Sequence, residues 1–465
     1  MKHWIVTISI ITIPFFTSAQ AGKQVYESYC AGCHGAQMQG GAASPLIKTE
    51  WKQGGSRKSV LTTIRNGIPG TEMASWKGTL TEKQIQAVTD LIVTAQKKPL
   101  AKKESRKPLV VQTADYKLKI ERLVKSGLHT PWAIEFADVN HALVSERTGQ
   151  LVWMINGKLD STRIKGTPET FSQESTGGYM DIALDPDYAN NGWVYLAFSQ
   201  NSAGSKDTSV PGMTKIVRGK IADHMWMDEQ TLFEVNDSLK LPGGVRWGCR
   251  FLFDTQGYLY FTIGDMGRAS HSQDLSKPSG KIYRINSDGS IPSDNPLYGK
   301  GNYLQAIYTW GNRNVQGIAQ HPLTGVIYAS EHGPKGGDEL NIIKKGANYG
   351  WPEITYGIGY DGTIITNDTA REGMEQPIAK WTPSIAVSAI EFVTSPKFPK
   401  WKNNLIVTAL AFQEIRRLVI DGGRVLNQEL LLKGYGRVRD VKFGPDGAMY
   451  VVTNEPDAVL RITPL

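Results

Sequence analysis

Residues 251–265 read FLFDTQGYLYFTIGD, which is a short apolar stretch, a turn built on Asp254 and Gly257, and a second apolar stretch. Aromatic and β-branched residues on both sides of an Asp/Gly turn predict two antiparallel strands joined by a tight connection. A β-sandwich would also alternate strands and turns, but repetition of one unit favours an all-β six-bladed propeller with one copy in each blade. The other five copies lie at 133–149, 182–198, 318–333, 389–410 and 441–455.

The propeller pattern fills residues 115–465, and the chain before it has a different composition. A chain of 465 residues can hold two or more domains, because single domains usually contain about 100–200 residues. Residues 97–114 combine six Lys and Arg residues with Pro99 and Pro108, a composition that predicts an extended basic linker. The expected fold class is therefore multi-domain: a small all-α domain at 22–96, this linker, and the all-β six-bladed propeller.

The first 21 residues have the pattern of a secretory signal peptide. They contain a basic start at Lys2, an apolar run at 4–16 and the small-residue ending AQA at 19–21. Export predicts a periplasmic protein, and no later stretch approaches the roughly 20 apolar residues of a membrane-spanning helix. The net charge of +8 does not indicate a nucleic-acid partner, because part of the excess lies in the short linker.

The motif CAGCH at 30–34 predicts covalent haem attachment. Cys30 and Cys33 each supply a thiol for a thioether to a haem vinyl group, and His34 supplies an axial ligand of the iron. Zinc is the alternative for paired cysteines, but the sequence has no second ligand pair downstream. A later helix is predicted from a capping box and one apolar face, formed by Thr81, Gln84, Ile85, Val88, Leu91 and Ile92.

The second axial ligand is expected in the loop IRNGIPGTEMASWKGTLT at 64–81, where Met73 follows a Gly- and Pro-rich stretch. Residues 22–96 resemble small class I cytochromes c, in which such a Met is the second ligand of the haem iron. The alternatives are Met38 as the ligand or a core role for Met73, because Met often fills gaps in cores. A His/Met pair raises the reduction potential and suits electron transfer.

Arg313, Arg437 and Arg439 stand out among the charged residues of the propeller. A single Arg on a loop is usually an ordinary surface residue. Together these three could clamp an anion with several carboxylates, because a guanidinium fork matches the geometry of a carboxylate. The segments that combine Gly-rich turns with charged residues are GGVRWGCRFLF (243–253), WGNRNVQGIA (310–319), SEHGPKGGDELN (330–341) and GRVRDVKFGPDG (436–447).

From Tyr116 to Pro464 the chain resembles the soluble PQQ-dependent aldose sugar dehydrogenases, a glucose/sorbosone dehydrogenase-like family of six-bladed propellers. WGNRNVQG, SEHGPKGGDELN, GANYGWP and RVRDV carry the resemblance, in the order that the family has them. The resemblance implies that pyrroloquinoline quinone (PQQ) and calcium bind at the top of the barrel. The implied PQQ contacts are Arg313, Asn314, Gln316, Arg437 and Arg439. The implied calcium ligands are the carbonyls of Gly333 and Pro334 beside the quinone, and Glu339 and Tyr349 at a structural calcium.

The chain departs from this family at three site positions. The family's general base is a His in a G-x-H-x-x-x-R-like segment, and GGVRWGCR places Arg246 at that position while retaining Arg250. Arg cannot serve as this base, because its guanidinium stays protonated in proteins. Thr176 stands where the family has a substrate-site Gln, and Ala411 stands where it has a PQQ-binding Lys.

Asp265 in TIGDMGR corresponds to the carboxylate that orients the family's missing His. We expect it to pair with Arg246, a pairing that makes Asp265 a weaker base. His271 and Asp181 lie near the site segments in sequence, but a structural role is the favoured prediction for each. The catalytic candidates are therefore Asp265 and Arg246.

These residues are compatible with two functions, an enzyme and a binding module. In the first, an aldose sugar or another alcohol is oxidised at PQQ, and electrons pass to the fused c-type haem and on to an external acceptor such as another cytochrome or an oxidase. In the second, the altered propeller is catalytically inactive and serves as a binding or docking module for the cytochrome. The fusion favours the enzyme, because a two-electron oxidation needs a one-electron outlet. The changed site residues favour the docking module.

Overall fold

The structure, a computed structural model, describes residues 18–35, 38, 40, 43–47, 51, 53–68, 73, 75–97, 109–173, 176–203 and 210–465. These residues divide into two compact units, one drawn from 1–30 and 46–101 and the other from 31–45 and 102–465. Within the described ranges, no helix is long and apolar enough to span a membrane. Most of the predicted signal peptide and most of the predicted linker lie outside the described residues.

The N-terminal part of the chain is helical, as predicted. Its α4 begins with the predicted capping box: the Thr81 hydroxyl accepts the Gln84 N–H at 3.3 Å, and the Gln84 side chain accepts the Thr81 N–H at 2.9 Å. Helix α1 passes close to α4 at Gly22, where a Cβ would lie 2.4 Å from the Ala87 carbonyl oxygen. The helices described here are α1 (Ser18–Tyr29), α2 (Ala31–His34), α3 (Arg57–Asn66) and α4 (Glu82–Gln96).

The rest of the described chain forms the antiparallel sheets of the propeller. Two strands precede the first blade, β1 (Leu109–Gln112) and β2 (Lys117–Val124). The first blade contains β3 (Pro131–Phe136), β4 (His141–Glu146), β5 (Gln150–Ile155) and β6 (Lys158–Arg163), and a short ribbon follows as β7 (Ser172–Gln173) and β8 (Thr176–Gly177). The second blade contains β9 (Tyr179–Leu184), β10 (Trp193–Asn201), β11 (Gly212–Ala222) and β12 (Met225–Phe233), with α5 (Tyr188–Asn191) after β9.

The remaining blades repeat the same four-stranded plan. The third contains β13 (Phe251–Phe253), β14 (Leu259–Ile263), β15 (Lys281–Ile285) and β16 (Ile307–Trp310). The fourth contains β17 (Val315–Gln320), β18 (Ile327–Glu331), β19 (Asp338–Ile343) and β20 (Ala379–Trp381), and the fifth contains β21 (Val387–Phe392), β22 (Leu405–Ala409), β23 (Glu414–Asp421) and β24 (Arg424–Lys433). The sixth contains β25 (Arg437–Phe443), β26 (Met449–Asn454) and β27 (Ala458–Pro464). Short 3₁₀ turns occur at Asp237–Leu239, Ala269–Ser272 and Pro399–Trp401.

The sixth blade is closed by both ends of the propeller segment. Strand β2 pairs antiparallel with β27, so that Ile120 lies opposite Ile462. Strand β1 adds a fifth strand at the edge of this sheet, although it lies inside the linker predicted at 97–114. Because the first and last strands share one sheet, the ring of blades is held closed by a full ladder of backbone hydrogen bonds.

Each predicted repeat forms the first two strands of one blade, and the predicted six-bladed fold is confirmed. The repeat at 251–265 contains β13, a turn and β14. In the turn, Asp254 Oδ1 accepts the N–H groups of Gln256 and Tyr258, both at 2.9 Å. Gly257 has a φ of +85°, which glycine adopts without the strain that other residues suffer there. The Asp/Gly turn predicted from the sequence therefore connects β13 to β14.

Arg250 links several blades at the centre of the propeller. Its buried Nη1 lies 3.2 Å from both Asp181 Oδ1 and Asp440 Oδ1. Its Nε donates to the Gln316 carbonyl at 2.8 Å, and its Nη2 donates to the Arg439 carbonyl. These partners lie on β9, β17 and β25. One guanidinium therefore connects the first strands of three blades to the segment that precedes β13.

Candidate active site

The Arg-rich segments meet at one end of the blades. Arg313 lies two residues before β17, His332 directly follows β18, and Arg437 is the first residue of β25. The start of one antiparallel strand lies beside the end of its partner. The register pairs Val315 at the start of β17 with Glu331 at the end of β18. The loops that carry Arg313 and His332 are therefore neighbours.

Arg313 is buried, and its guanidinium is held against the loop that follows β18. Its Nη1 donates to the carbonyl oxygens of His332 at 3.1 Å and Gly333 at 2.7 Å, and its Nη2 donates to the Tyr360 hydroxyl at 3.3 Å. Its Cζ lies 5.3 Å from the centre of the Trp351 ring. Its Nε–H has no acceptor among the described residues. This buried cation therefore retains an unused donor.

Arg437 and Arg439 are also buried cations with unused donors. They are 7 % and 8 % exposed, and Arg437 Nη1 and Arg439 Nε have no acceptor within the described ranges. Arg439 Nη1 donates to the Gln316 side-chain oxygen at 3.3 Å, and its Cζ lies 4.0 Å from the centre of the Trp132 ring. Burial lowers the pKa of both guanidiniums. Because buried charges need partners, Arg313, Arg437 and Arg439 form an arginine cradle that fits an anion.

Asn314 and Gln316 form a chain of hydrogen bonds that ends at His332. Gln316 Nε2 donates to a backbone carbonyl at 3.1 Å and to Asn314 Oδ1 at 3.2 Å, and Asn314 Nδ2 lies 3.4 Å from His332 Nδ1. The buried Nε2 of His332 has no partner in the described part of the chain. Burial and the charges of Arg313 and Arg439 lower the pKa of His332 to about 3, so its ring is neutral. The sequence pattern did not single out His332, and its only signal was its place in SEHGPKGG.

The ion pair predicted between Arg246 and Asp265 is present. Arg246 Nε lies 2.7 Å from Asp265 Oδ1, and Asp265 is fully buried. The Gly267 N–H donates to the same oxygen at 2.9 Å, and the Trp351 indole N–H donates to Oδ2 at 2.9 Å. The Asp265 N–H donates to the Arg313 carbonyl at 2.8 Å, which places the pair beside the cradle. With three donors on its two oxygens, Asp265 serves as an acceptor within the framework of the site.

His271 and Asp181, the other candidates near the altered positions, make contacts that are typical of structural residues. His271 Nδ1 lies 3.3 Å from a serine hydroxyl, and burial lowers the pKa of His271. Asp181 pairs with Arg250, and its Oδ2 accepts the N–H of Phe251 at 2.7 Å. Ala411 is fully buried, and the side chain of Thr176 lies outside the described residues. The structural roles predicted for His271 and Asp181 agree with these contacts.

Gly333 and Pro334 lie in the loop between β18 and β19, beside the cradle. The Gly333 N–H donates to Asp338 Oδ1 at 2.9 Å, while its carbonyl accepts from Arg313. A Cβ at position 333 would lie 2.3 Å from the backbone of Gly337, so the tight turn requires glycine. The turn therefore brings the Gly333 carbonyl to the cradle, where a hard cation could use it as an oxygen ligand.

A second group of oxygen atoms lies on β18 and β19. Glu331 is paired directly with Glu339 across the two strands, and Asn341 is two residues further on the same face. Asn341 Nδ2 donates to Glu339 Oε2 at 3.1 Å, whereas its buried Oδ1 has no donor among the described residues. Burial raises the pKa of Glu331 to about 7 and, with Glu331 adjacent, that of Glu339 to about 8. Paired carboxylates beside an orphaned amide oxygen fit a hard cation such as calcium.

The hydroxyl of Tyr349 makes its hydrogen bonds with backbone groups. Its hydroxyl donates to the Ile342 carbonyl at 2.6 Å and accepts the Lys344 N–H at 2.9 Å. We therefore expect any calcium contact of Tyr349 to come from its own carbonyl. Across the described ranges, no three His, Cys, Asp or Glu side chains converge as a metal site. Backbone and amide oxygens would therefore have to complete the coordination of a calcium ion at Gly333 and Pro334 or at Glu339.

The residues of the haem motif lie around α2. Cys30 follows α1 directly, and Cys33 and His34 end α2. His34 Nδ1 lies 3.0 Å from the Ser44 carbonyl oxygen. An imidazole that donates Nδ1–H to a carbonyl presents its Nε2 lone pair to a metal, which is the usual arrangement of a metal-ligating histidine. Met73 lies between α3 and α4, and its carbonyl accepts a backbone N–H at 2.8 Å.

A family model described as glucose/sorbosone dehydrogenase matches residues 128–461. The chain belongs to that family. A second family model, described as cytochrome c oxidase, cbb3-type, subunit III, matches residues 17–92. Aldose sugar dehydrogenase YliI of Escherichia coli (strain K12) is 35 % identical over 349 residues, which cover 74 % of this chain and 92 % of the relative.

Solved and curated relatives extend this comparison to both parts of the chain. The PQQ-bound form of aldose sugar dehydrogenase from Streptomyces coelicolor matches with a TM-score of 0.59 and 27 % identity, covering 75 % of this chain and 98 % of that one. Cytochrome c55X of Stutzerimonas stutzeri is 36 % identical over 70 residues, covering 15 % of this chain and 61 % of the relative. The chain is therefore a propeller of the glucose/sorbosone dehydrogenase family, an oxidoreductase family, with a cytochrome c domain ahead of it in the sequence.

Proposed function

We propose that this protein is a periplasmic enzyme that uses PQQ and calcium to oxidise an aldose sugar or another alcohol. Electrons leave through a c-type haem, attached at Cys30 and Cys33 and ligated by His34 and Met73, to an external cytochrome or oxidase. The observation that carries the proposal is the arginine cradle. Each of its three buried guanidiniums retains a donor without an acceptor among the described residues.

The chemistry of the cradle fits PQQ. A neutral sugar alone would leave three buried cations uncompensated, and an uncompensated buried charge costs several kcal/mol even after relaxation. A planar quinone with several carboxylates supplies the anionic oxygens that guanidinium groups bind well. The indole rings of Trp351 and Trp132, which lie beside Arg313 and Arg439, give the cradle flat apolar walls.

The residues of the chain then have distinct tasks. PQQ, when bound, would supply a two-electron acceptor for the carbinol carbon, and the haem would supply a one-electron outlet. The cradle would orient the cofactor, and the carbonyls of Gly333 and Pro334 would hold a calcium ion. Arg246 cannot take the hydroxyl proton, because a guanidinium stays protonated. Asp265 already accepts three hydrogen bonds, so the hydroxyl proton would pass to solvent water instead.

A structural calcium ion is proposed between β18 and β19. Glu339 and Glu331 supply carboxylate oxygens, the orphaned Asn341 Oδ1 supplies an amide oxygen, and the Tyr349 carbonyl is a further candidate. Like charges placed directly opposite each other destabilise a strand pair. A divalent cation would reverse that effect and tie the two strands of the fourth blade together.

One observation favours a second function, in which the propeller binds PQQ or another anion but has lost sugar oxidation. The ion pair between the half-buried Arg246 and the buried Asp265 occupies the position where the resemblance implies a His general base. In that case the propeller is a binding or docking module for the cytochrome. Both functions use the same cradle, and they differ in whether a sugar reduces the haem.

The deciding experiment follows the visible spectrum of the oxidised haem protein without oxygen. The protein is loaded with PQQ and Ca²⁺, and aldoses and simple alcohols are then added. The loss variant is Arg439→Met, which removes one arm of the cradle. The matched control is Arg371→Met, which removes an exposed Arg paired with Glu353 and Asp368.

Haem reduction only when PQQ and a substrate are both present, lost in Arg439→Met and kept in Arg371→Met, supports the dehydrogenase. A haem that stays oxidised although PQQ binding is measured independently supports the docking module. If the wild-type protein does not bind PQQ, the cradle serves a different anion and the proposed cofactor is wrong.

A further inference from the structure

The direction of the hydrogen bonds beside the cradle is set by Arg439. A guanidinium can only donate, so the atom of Gln316 that it contacts at 3.3 Å must be the oxygen Oε1. This fixes the orientation of the Gln316 amide, whose Nε2 then donates to Asn314 Oδ1 at 3.2 Å. The Asn314 amide is oriented in turn, and its Nδ2 is the atom that faces His332.

This chain of amides determines the tautomer of His332. Asn314 Nδ2 is a donor, so His332 Nδ1 at 3.4 Å must be the acceptor. A neutral imidazole with an accepting Nδ1 carries its proton on Nε2. His332 Nε2 is therefore an N–H donor, and it is buried without a hydrogen-bond partner in the described part of the chain.

The surroundings of this N–H supply donors and little else. The charged groups that act on the ring are Arg313, Arg437 and Arg439, none of which can accept a hydrogen bond. The backbone of Val387 also interacts with the ring, but Nε2 makes no hydrogen bond to it. A buried donor left unpaired in this way is costly. An anionic oxygen held by the cradle is the acceptor that this arrangement favours.

We propose that His332 donates its Nε2–H to an anionic oxygen of the bound cofactor, as a fourth donor beside the arginine cradle. The proposal rests on the proposed function, because it takes PQQ as the anion. Gln316 and Asn314 then act as positioning residues that fix the tautomer of His332. This role is additional to the direct PQQ contacts that the sequence resemblance implies for both amides.

The test titrates the calcium-loaded apo protein with PQQ itself and follows quenching of tryptophan fluorescence, with calorimetry as a second readout. We expect His332→Leu to weaken PQQ binding about 10- to 100-fold, because a hydrogen bond to a charged group is lost. His332→Gln keeps an amide donor and should recover part of the affinity. His321→Leu is the matched control, since the ring Nδ1 of His321 accepts the N–H groups of Leu323 and Thr324 in a turn outside the site.

The two levels of the proposal fail in different ways. A wild-type protein that does not bind PQQ overturns the proposed function and this inference with it. A wild-type protein that binds PQQ, together with a His332→Leu variant that binds within about threefold of it, overturns the inference alone.

A measurement on the wild-type protein covers the case in which His332→Leu does not fold. In protein labelled with ¹⁵N-histidine, we expect one ring to be neutral with its proton on Nε2 before PQQ is added. The Nε2–H resonance of that ring should shift when PQQ binds. A proton on Nδ1, or an Nε2–H signal that PQQ leaves unchanged, contradicts the proposal.

Discussion

Replacing Arg250 by Met should destabilise the propeller and loosen the cradle together. The change removes four donated hydrogen bonds and leaves Asp181 and Asp440 as buried carboxylates without their cation. Breaking one partner of a buried ion pair costs about 3–5 kcal/mol. A unit the size of residues 128–461 unfolds with an entropy of about 0.7 kcal/mol per kelvin, so Tm should fall by about 4–7 °C.

Thermal unfolding followed by calorimetry or circular dichroism measures this loss at one protein concentration. Arg371→Met is the surface control, because an exposed pair contributes about 0–1 kcal/mol. Adding Asp181→Asn and Asp440→Asn to Arg250→Met should restore much of the Tm, because neither carboxylate then remains uncompensated. If Arg250→Met lowers Tm no more than Arg371→Met does, Arg250 is not the link between blades that its contacts indicate.

The remaining predictions concern the base position, calcium and pH. Arg246→His should raise sugar-dependent haem reduction about 100-fold or more in PQQ-loaded protein, since a positioned base contributes about 10²–10⁴-fold; an unchanged rate would show that the base position is misplaced. Chelation of calcium should lower the Tm of the wild-type protein more than that of Glu339→Gln, because the variant keeps only the ion proposed at Gly333 and Pro334; equal losses in both would remove the proposed ion from β18 and β19. Burial, with Glu135 and Asp440 nearby, raises the pKa of Glu391 to about 7. The folded protein therefore binds a proton that the unfolded chain releases, and the stability due to Glu391 falls as pH rises from about 4.5 to 7. Glu391→Gln should gain Tm relative to wild type between about pH 5 and pH 8, and a constant difference would contradict this.

Features that depend on neighbouring residues could be predicted from the sequence. The turn at 251–265 and the capping box at Thr81 are local, because their hydrogen bonds join groups a few positions apart. The repetition of one such unit then indicated the six-bladed propeller. CAGCH likewise places both thiols and the imidazole within one turn, which is why the motif alone indicates a haem.

Features that depend on distant residues could not be predicted in this way. Arg250 meets Asp181 and Asp440 at separations of 69 and 190 positions. The partners of Glu339 at the proposed calcium are similar, since Glu331 is opposite it only because β18 and β19 pair in that register. Nothing in the local sequence distinguishes these acids from ordinary surface carboxylates.

By itself, the sequence determined the haem motif, the blade repeat, the three arginines and, through a family resemblance, the unusual Arg246–Asp265 pair. Only the tertiary structure decided that the arginines are buried with unused donors, and that Arg439 orients two amides to set the proton of His332. The physical reason is that burial and hydrogen-bond direction belong to contacts between blades. A residue's own neighbours in the chain do not specify which groups will share its desolvated surroundings.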